Sequence, residues 1–583
     1  MKRGMLQTLR PLWPYLWRYR GNFAWGLAAL ALKDLAAVSA PLVIRAAVDR
    51  FSRGAPAAQI FRLAGYLVAI AMLRGIFQYW MRVVLIGISR DIEYDLRNDL
   101  FTRLVFLSSD FYSRNRTGDI MARATNDLNA VRMMLGPGVM YWTETSLTFV
   151  LAIAVMASTD WRLTLLAILP APLVSFAVIF FGRKIHDRFE RIQAMFSDIS
   201  SRVQENLAGV RMVRAYAQEA AELKKFNALN VDYIGQNIQL VRISGLFEPL
   251  LELLIGSTFL IVLWAGGQRV LSGQISLGSF VMFNTYMSML VWPMIAMGWV
   301  VNLMQRGSAS FERIAEIMQE RPSIAEPASA PAPAEPRGEI EFRGVSMVYP
   351  AGAALAGIDL RIPAGSTVAI VGATGCGKST LVSLIPRLLD PTAGAVFLDG
   401  VDLRKLSPQA LRRNIGFVPQ ETFLFSATIA ENIAFGVEQA TDRQIRRAAE
   451  MAGLAADIET FPAGYQTMVG ERGITLSGGQ KQRTAIARAV LRDPGILILD
   501  DALSSVDTLT EELILTGLSG MMGGRTVILI SHRVSTVRQA DRIVVLEKGG
   551  IVEQGTHAEL VMAGGYYAEL YQKQLLEEEL EAI

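Results

Sequence analysis

Six long apolar stretches constrain the fold of this chain more than any other feature. A helix needs about 20 mostly apolar residues to cross the hydrocarbon core of a membrane. The stretches that meet this requirement are Phe23–Ala47, Phe61–Ile86, Pro137–Ser158, Trp161–Gly182, Leu246–Gly267 and Ser279–Leu303. Charged residues make up only 19% of the chain, whereas soluble domains average about 25%. The sequence therefore predicts an all-α bundle of six membrane-spanning helices.

Arginine and lysine residues are concentrated in two of the connections between these stretches. The second and third stretches, and the fourth and fifth, are joined by long basic segments, whereas only Arg162 appears between the third and fourth and only Arg269 between the fifth and sixth. Because positive loops favour the cytoplasmic side, we expect both termini in the cytoplasm and the chain in the cytoplasmic membrane of a bacterium. The basic segments also predict helices that continue beyond the membrane and reverse near Ser113–Gly118 and Ala215–Glu219.

The N-terminal segment combines basic residues with Trp13, Tyr15 and Trp17, without a small-residue cleavage site. This composition argues against a secretory signal peptide and favours a helix lying on the membrane surface; a frayed terminus is the alternative. The single cysteine, Cys376, excludes an intrachain disulfide. The net charge of +3 is too small to indicate a nucleic-acid partner.

The composition changes sharply after the last apolar stretch. Residues 319–338 are rich in proline and alanine, which is typical of a linker. Beyond it, short β-branched runs alternate with helical patterns, which predicts an α/β sheet domain. The runs are Thr367–Val371, Ile496–Leu499, Thr526–Ile530 and Arg542–Leu546. We therefore expect a membrane domain over residues 1–318, a linker over 319–338 and an α/β domain over 339–583.

A glycine-rich loop in the α/β domain carries the strongest chemical signal. It reads Gly-Ala-Thr-Gly-Cys-Gly-Lys-Ser-Thr after a predicted strand and before a predicted helix, which is the context of a phosphate-binding loop. Backbone amides at the helix start cradle phosphates, Lys378 reaches the β- and γ-phosphates, and the Ser379 hydroxyl binds magnesium. The predicted nucleotide ligands are Gly372, Thr374, Gly375, Cys376, Gly377, Lys378, Ser379 and Thr380. ATP and Mg²⁺ are the implied cofactors of this P-loop ATPase domain.

Cys376 within this loop has two interpretations. A thiol among phosphate-binding amides near a helix start has a lowered pKa and is reactive. The alternative is a thiol that is turned into the packing.

Two further motifs complete the pattern. Asp500 follows four aliphatic residues, so a buried strand places its carboxylate beside the magnesium site. The run Leu476, Ser477, Gly478, Gly479, Gln480 precedes a predicted helix. Alone this run is a weak signal, but with the other two motifs the whole chain resembles the ATP-binding cassette (ABC) exporters. It is similar to half-transporters that fuse a six-helix membrane domain to one nucleotide-binding domain with a helical subdomain.

The resemblance implies roles that the residues alone do not give. Leu476, Ser477, Gly478, Gly479 and Gln480 would touch the ATP held by the opposite domain, so the chain needs a second half-transporter chain as its partner. The resemblance also implies that Tyr349 stacks on the adenine, that Gln420 contacts magnesium and that His532 contacts the γ-phosphate. It implies that Ser504 to Asp507 crosses the dimer interface and that Val469–Glu471 and Asn115–Asp119 lie near the cytoplasmic helices.

The residue after Asp500 departs from the family pattern. The family normally has glutamate there, which positions or deprotonates the attacking water, and this chain has Asp501. Aspartate is one methylene shorter, and correct placement of a general base contributes about 10²–10⁴-fold to the rate. We therefore expect slow hydrolysis at this site and a heterodimer whose other chain carries the glutamate. A homodimer in which Asp501 is competent is the alternative.

The cargo is the least determined property. Ionisable residues within the stretches include Lys33, Asp34, Arg74, Arg82, Glu144, Glu248 and Glu252. Glu248 and Glu252, four residues apart, could form a site for cationic cargo, although a wet vestibule or an interhelical ion pair explains them more simply. The resemblance favours export of varied hydrophobic compounds, then lipid flipping, with membrane lipid as a neighbour. An importer or an ATP-gated channel or regulator are the alternatives from other classes.

Overall fold

The computed structural model describes residues 9–324, 336–350, 352–470, 473 and 476–581. The chain divides into two compact units. The first comprises Met1–Phe106 and Asn115–Glu320, and the second comprises Leu107–Arg114 and Arg321–Ile583. Most of the predicted linker, residues 325–335, lies outside the described residues.

The first unit is all-helical. Its α-helices are α1 Trp13–Arg18, α2 Arg20–Ser52, α3 Ala57–Phe106, α5 Thr117–Ala122, α6 Leu128–Met133, α7 Val139–Thr159, α8 Trp161–Ile168, α9 Ala171–Ala208, α10 Val210–Ala215, α11 Glu219–Ile261, α12 Gly267–Leu271 and α13 Leu277–Gln319; α4, Ser109–Arg114, belongs to the second unit. Short π-helical turns, Arg123–Asp127 and Met134–Gly138, join α5, α6 and α7 into one continuous helical segment.

Six helical segments among the described residues are long and apolar enough to cross a membrane. This confirms the predicted six-helix unit. The segments are Arg20–Ser52, Ala57–Phe106, Thr117–Thr159, Trp161–Ala208, Glu219–Leu271 and Leu277–Gln319. At 50 residues, α3 is about 75 Å long, which is more than twice the hydrocarbon thickness. The basic connections are thus helical continuations of the apolar stretches, broken near Asn115 and at Tyr216–Gln218.

The N-terminal helix α1 packs on α3 through polar contacts. The Tyr15 hydroxyl donates to Asp99 Oδ2 at 2.6 Å, and Arg18 pairs with Asp95 at 2.9 Å. Trp13 and Trp17 are more than half exposed, as an interfacial helix requires. The first part of the predicted surface helix, before Leu9, lies outside the described residues.

Close packing between α2 and α13 depends on a glycine. The Gly278 amide and the Ser276 hydroxyl both donate to the Asp49 carboxylate at 2.8 Å. A Cβ atom at Gly278 would collide with the backbone oxygen of Arg45 and with the Asp49 carboxylate. Any side chain at this position therefore separates the two helix ends.

We expect Gly278→Ala to lower the thermal midpoint of the full chain in detergent. Overpacking of this kind costs about 1–3 kcal/mol, and the Asp49 contacts are lost with it. Gly256→Ala on α11 is the matched control, because a methyl group at Gly256 would meet no atom of the described residues within 4 Å. Equal midpoints for the two variants would contradict this account of the α2–α13 contact.

The second unit contains two sheets. Strands β1 Ile340–Tyr349, β2 Gly352–Ile362, β4 Ala393–Leu398 and β5 Val401–Asp402 form an antiparallel sheet in the order β2-β1-β4-β5. The other sheet has the order β10-β9-β3-β8-β7-β6 and consists of β3 Thr367–Gly372, β6 Ile415–Val418, β7 Ile496–Asp500, β8 Thr526–Ile530, β9 Arg542–Glu547 and β10 Gly550–Gly555. All of its neighbours pair in parallel except β9 and β10. This confirms the α/β domain and its four predicted strands.

Helices flank these sheets and build a separate helical layer. They are α14 Lys378–Ser383, α15 Pro408–Arg413, α16 Ile429–Ala434, α17 Asp442–Met451, α18 Ala455–Thr460, α19 Gly478–Leu491, α20 Thr508–Met522, α21 Val534–Val537, α22 His557–Ala563 and α23 Tyr566–Glu581. One apolar core lies between the two sheets and α14, and a second joins α16 to α19 with the far face of β7. The short helix α4 is fixed in this unit by the Ser109 hydroxyl, which donates to the Leu388 carbonyl at 2.9 Å.

Candidate functional site

The glycine-rich loop connects β3 to α14, and its backbone conformation explains its glycines. Gly375 and Gly377 have φ angles of +82° and +104°, a region that side-chain-bearing residues rarely adopt. A Cβ atom at Gly377 would also collide with the Ala354 carbonyl. Gly377 is the residue before the first turn of α14, so the loop amides and the helix start converge on one point. Such a convergence binds anions.

Lys378 lies at the centre of this loop. Its side chain is almost fully buried, and Nζ donates to the carbonyls of Gly372 and Ala373 at 2.8 and 2.9 Å. The ammonium group is thereby held over the loop without an acidic partner among the described residues. It is therefore available to the same phosphate that the loop amides surround.

Asp500 is the last residue of β7, and Ser379 lies in the first turn of α14, the helix that follows β3. Strand β8 pairs with both β3 and β7, so the carboxyl ends of all three reach the same edge of the sheet, where α/β proteins place their ligands. The Ser379 hydroxyl donates to Asp500 Oδ1 at 3.1 Å. Burial raises the pKa of Asp500, the Ser379 hydrogen bond opposes that rise, and the neighbouring Asp501 charge adds to it.

A cavity of about 360 Å³ opens at this edge. Its lining brings together the candidate residues of one nucleotide site, namely Tyr349, Thr374, Gly375, Gly377, Lys378, Ser379, Thr380, Gln420, Asp500, Asp501 and His532. The hydroxyl of Ser379, the carboxylate of Asp500 and the amide of Gln420 supply the oxygen ligands that Mg²⁺ prefers. The residues present therefore fit a magnesium–nucleotide complex, with Tyr349 at the margin of the cavity as an aromatic platform.

Comparison with known proteins identifies the family. The model of the ABC transporter transmembrane region matches residues 23–294, and the ABC transporter model matches residues 355–504. The chain is 37% identical over 577 residues to a probable multidrug resistance ABC transporter ATP-binding/permease protein of Bacillus subtilis, YheI, covering 98% of both chains. It belongs to the ABC transporters.

Other relatives agree with this assignment. The multidrug resistance-like ATP-binding protein MdlA of Escherichia coli is 38% identical, with 97% of each chain covered. An ATP-dependent lipid A-core flippase of Syntrophus aciditrophicus is 36% identical, covering 99% of this chain and 95% of the flippase. Among solved structures, a bacterial Atm1-family ABC exporter with ATP bound superimposes with a TM-score of 0.79 at 28% identity, covering 95% of this chain and 98% of that one.

Leu476 to Gln480, which we call the signature run of this ABC transporter, do not line the cavity described above. Ser477 caps α19, with its hydroxyl accepting from the Gln480 amide, and the Gln480 side chain accepts in turn from the Ser477 amide at 3.0 Å. Ser477 and Gly478 are exposed, whereas Leu476 is buried in the helical layer. None of Leu476 to Gln480 lines the cavity, and neither do Ser504 and Asp507, which are also exposed. Glu471 lies outside the described residues.

Asp501 has an unusual backbone conformation for a residue with a side chain. Its φ angle is +50°, a region in which aspartate and asparagine are enriched. Its amide donates to the Ile530 carbonyl at 3.0 Å, and its own carbonyl accepts from the Ser504 hydroxyl at 2.9 Å. Asp501 is half-buried at the cavity wall. Its position is thus set by the turn that follows β7.

The structure favours the packing interpretation of Cys376. The residue is only 6% exposed and belongs to the apolar core between the two sheets. Its sulfur lies 4.0 Å from Lys378 Nζ, yet Cys376 does not line the cavity as the other loop residues do. The nucleotide would therefore meet the backbone of this residue rather than its thiol.

Two glutamines that belong to no sequence motif hold the loops of the site. Gln482, which is 5% exposed on α19, donates to the Ser504 hydroxyl at 3.0 Å and accepts from the Ser505 amide at 2.9 Å. Gln574 on α23 accepts from the Val534 amide at 2.7 Å and donates to the His532 carbonyl. Gln574 therefore holds the loop of His532 from both sides. An isolated glutamine in a helix carries no signal that could have revealed either role.

Glu248 and Glu252 are both exposed on α11. Neither glutamate lines either of two cavities in the first unit, one with Met287 in its lining and the other with Phe311. The structure therefore does not bring these two glutamates into a closed site within the described part of the chain.

We expect Lys378→Ala to weaken binding of Mg-ATP to the purified full chain by tenfold or more. The reason is the loss of a charge-assisted contact worth about 1.5–3 kcal/mol. Titration with a fluorescent ATP analogue measures it. Lys405→Ala, which removes an exposed lysine of the same domain, is the control and should bind normally. Unchanged affinity of the Lys378 variant would place the nucleotide elsewhere.

We expect Gln574→Ala to lower affinity for ATP while leaving affinity for ADP unchanged. Removing both hydrogen bonds frees the His532 loop, and only ATP carries the γ-phosphate that this histidine is expected to contact. Loss of one such bond, about 1 kcal/mol, corresponds to roughly fivefold. Gln572→Ala, exposed on the same helix, is the matched control. Equal losses for ATP and ADP would mean that Gln574 supports the domain and not the histidine.

Proposed function

We propose that this ABC transporter is one subunit of an ATP-driven exporter of hydrophobic or amphipathic compounds. The observation that supports it most is that one cavity of the second unit gathers a phosphate loop, the strand-end carboxylates Asp500 and Asp501, and His532, whereas the exposed Ser477 and Gly478 of the signature run do not line it. The multidrug-type relatives and the exporter structure support the direction and the cargo class. The membrane domain, residues 1–318, is joined by the linker 319–338 to the nucleotide-binding domain, residues 339–583.

In this proposal the chain's own residues divide the work of binding ATP. Tyr349 stacks on the adenine, the amides from Gly372 to Thr380 surround the phosphates, and Lys378 neutralises the β- and γ-phosphates. Ser379, Gln420 and Asp500 hold the magnesium ion, and the raised pKa of Asp500 falls again when a dication sits beside the carboxylate. His532 contacts the γ-phosphate. Asp501 stands where the attacking water is positioned.

The exposed signature run requires a partner. Ser477 and Gly478 are exposed and do not line the cavity of their own domain, and this supports a role for Leu476 to Gln480 at the nucleotide of a second half-transporter. Ser504 and Asp507 cross the same dimer interface. The chain resides in the bacterial cytoplasmic membrane with both termini in the cytoplasm, which the distribution of arginine and lysine supports.

Asp501 makes this site slow, and the partner supplies the competent one. The shorter side chain retracts the carboxylate by about one C–C bond from the water that a glutamate would reach, and misplacement of a base is costly. The backbone at Asp501 adds a second argument, because its φ of +50° suits aspartate better than glutamate. The turn is therefore adapted to the shorter acid. We therefore propose a heterodimer in which the other chain carries a glutamate at this position; a homodimer with a competent Asp501 is the alternative.

Lipid flipping is the second candidate for the cargo. The 36% identity to a lipid A-core flippase over 99% of this chain favours it. Proteoliposomes separate the two candidates. A multidrug-type exporter moves fluorescent amphipathic dyes in an ATP-dependent way, whereas a flippase changes the leaflet exposure of labelled lipid and leaves dye distribution unchanged.

We expect two substitutions in this chain to act asymmetrically on ATP turnover by the co-purified complex. Ser477→Ala should reduce turnover severely, because it removes a contact to the nucleotide that is hydrolysed. Asp501→Asn should change turnover by less than about twofold, because little of the chemistry passes through it. Changing the partner's strand-end glutamate to glutamine should nearly abolish turnover, in the range of the roughly 10²–10⁴-fold that a positioned base contributes.

Two results would contradict the asymmetry. Damage by Asp501→Asn equal to that of the partner substitution would show that this site is competent. Vigorous turnover by this chain alone would show that a homodimer suffices. Asp501→Glu gives a further test. Because the φ of +50° at this position suits glutamate less well than aspartate, this variant should not raise turnover to the level of the partner's site.

A further inference from the structure

Three ionisable side chains meet inside the helical bundle of the first unit. Lys33 and Asp34 lie near the middle of α2, and Glu144 lies on α7. Lys33 Nζ is 2.9 Å from Asp34 Oδ1 and 2.5 Å from Glu144 Oε1. The side chains of Lys33 and Asp34 are 3% and 2% exposed, whereas that of Glu144 is 31% exposed. The cluster is therefore closed on the α2 side and open at Glu144.

The cluster has one cation for two carboxylates. Both acids draw on the same ammonium group, so Lys33 can balance the charge of only one of them. Asp34 is short of partners as well, because its Oδ2 is buried without a hydrogen bond of ordinary geometry in the described part of the chain, although the Thr148 hydroxyl interacts with this carboxylate. Intramembrane charge is expensive and marks a functional path more often than a structural one.

A pair of aromatic rings lies one turn of α7 from Glu144. Tyr141 precedes Glu144 by three residues and so lies on the same face of α7. Its ring makes an edge-to-face contact with Trp299 of α13, with centroids 5.4 Å apart, and Trp299 is 49% exposed. A carboxylate one helical turn from two aromatic rings has the composition that recognises organic cations, which bind to the faces of Trp and Tyr.

We propose that Glu144, with Tyr141 and Trp299, binds the positively charged group of an amphipathic organic cation. The partly exposed Glu144 carboxylate favours a positively charged ligand, and the Tyr141 and Trp299 rings favour an apolar, delocalised cation. Lys33 and Asp34 act as positioning residues that hold the Glu144 carboxylate. This inference rests on the proposed exporter function, since it names the chemical class of the cargo.

Two ions of the same shape and opposite charge test the site. Equilibrium dialysis measures tetraphenylphosphonium and tetraphenylborate binding to the full chain in phosphatidylcholine nanodiscs, a lipid without net charge. We expect the wild-type chain to prefer the cation, and Glu144→Gln to weaken cation binding by about tenfold, the equivalent of one lost ionic contact, without weakening anion binding. Glu144→Asp should restore part of the preference.

The aromatic side has its own matched pair of variants. Trp299→Leu should weaken cation binding severalfold, whereas Trp292→Leu, which removes an exposed tryptophan from the same helix, should not. If Trp299→Leu lowers the thermal midpoint, the milder Trp299→Phe replaces it, and a smaller loss of cation binding is expected.

The outcomes separate this inference from the proposed function. A cation preference that survives Glu144→Gln, or a wild-type chain without any preference, overturns the site while ATP-driven transport of other compounds can still be measured in proteoliposomes. A Glu144-dependent preference without ATP-driven transport upholds the site and overturns the exporter.

Discussion

The hydrogen bond from Ser379 to Asp500 is the contact on which the nucleotide site depends. It exists because β3 and β7 are both parallel neighbours of β8, so that the residues following β3 and the last residue of β7 reach one edge of the sheet. Every other group of the cavity is placed relative to this edge. The loop glycines bring backbone amides to it, and the turn after β7 carries Asp501 to its wall.

The same turn also links the cavity to the signature helix. Gln482 on α19 bonds Ser504 and Ser505, and Ser504 in turn donates to the Asp501 carbonyl. A buried glutamine that satisfies both of its polar ends leaves little freedom to the loop it holds. These hydrogen bonds connect the turn that carries Asp501 to the first turns of α19, which begins after the exposed cap Ser477.

In the first unit, the polar groups that are buried in the apolar helical bundle need hydrogen-bond partners on neighbouring residues. The Tyr286 hydroxyl is fully buried and donates to the Val38 carbonyl at 2.5 Å, and Asp49 accepts from the start of α13. These groups are satisfied by neighbours. The Lys33 cluster is different because one ammonium group serves two carboxylates, of which Glu144 is partly exposed, and that difference is why the cluster points to a ligand.

The sequence by itself determined the class of the fold and the chemistry of the loop. Apolar runs of spanning length, glycines at fixed offsets and a carboxylate after a buried strand are local patterns. Such patterns can be recognised in the sequence without knowledge of the tertiary fold. Residue identity alone also shows an aspartate at position 501, where the family resemblance implies a glutamate.

Only the tertiary structure decided which residues share a site. Glu144 meets Lys33 across 111 residues of chain, and Gln574 reaches the His532 loop from the C-terminal helix. Helix packing and crossover connections bring such residues together, and neither produces a periodic pattern in the sequence. For the same reason Cys376 faces the core although it lies within the phosphate loop. The direction of a side chain is set by the φ and ψ angles of the folded loop, which the residue's identity does not contain.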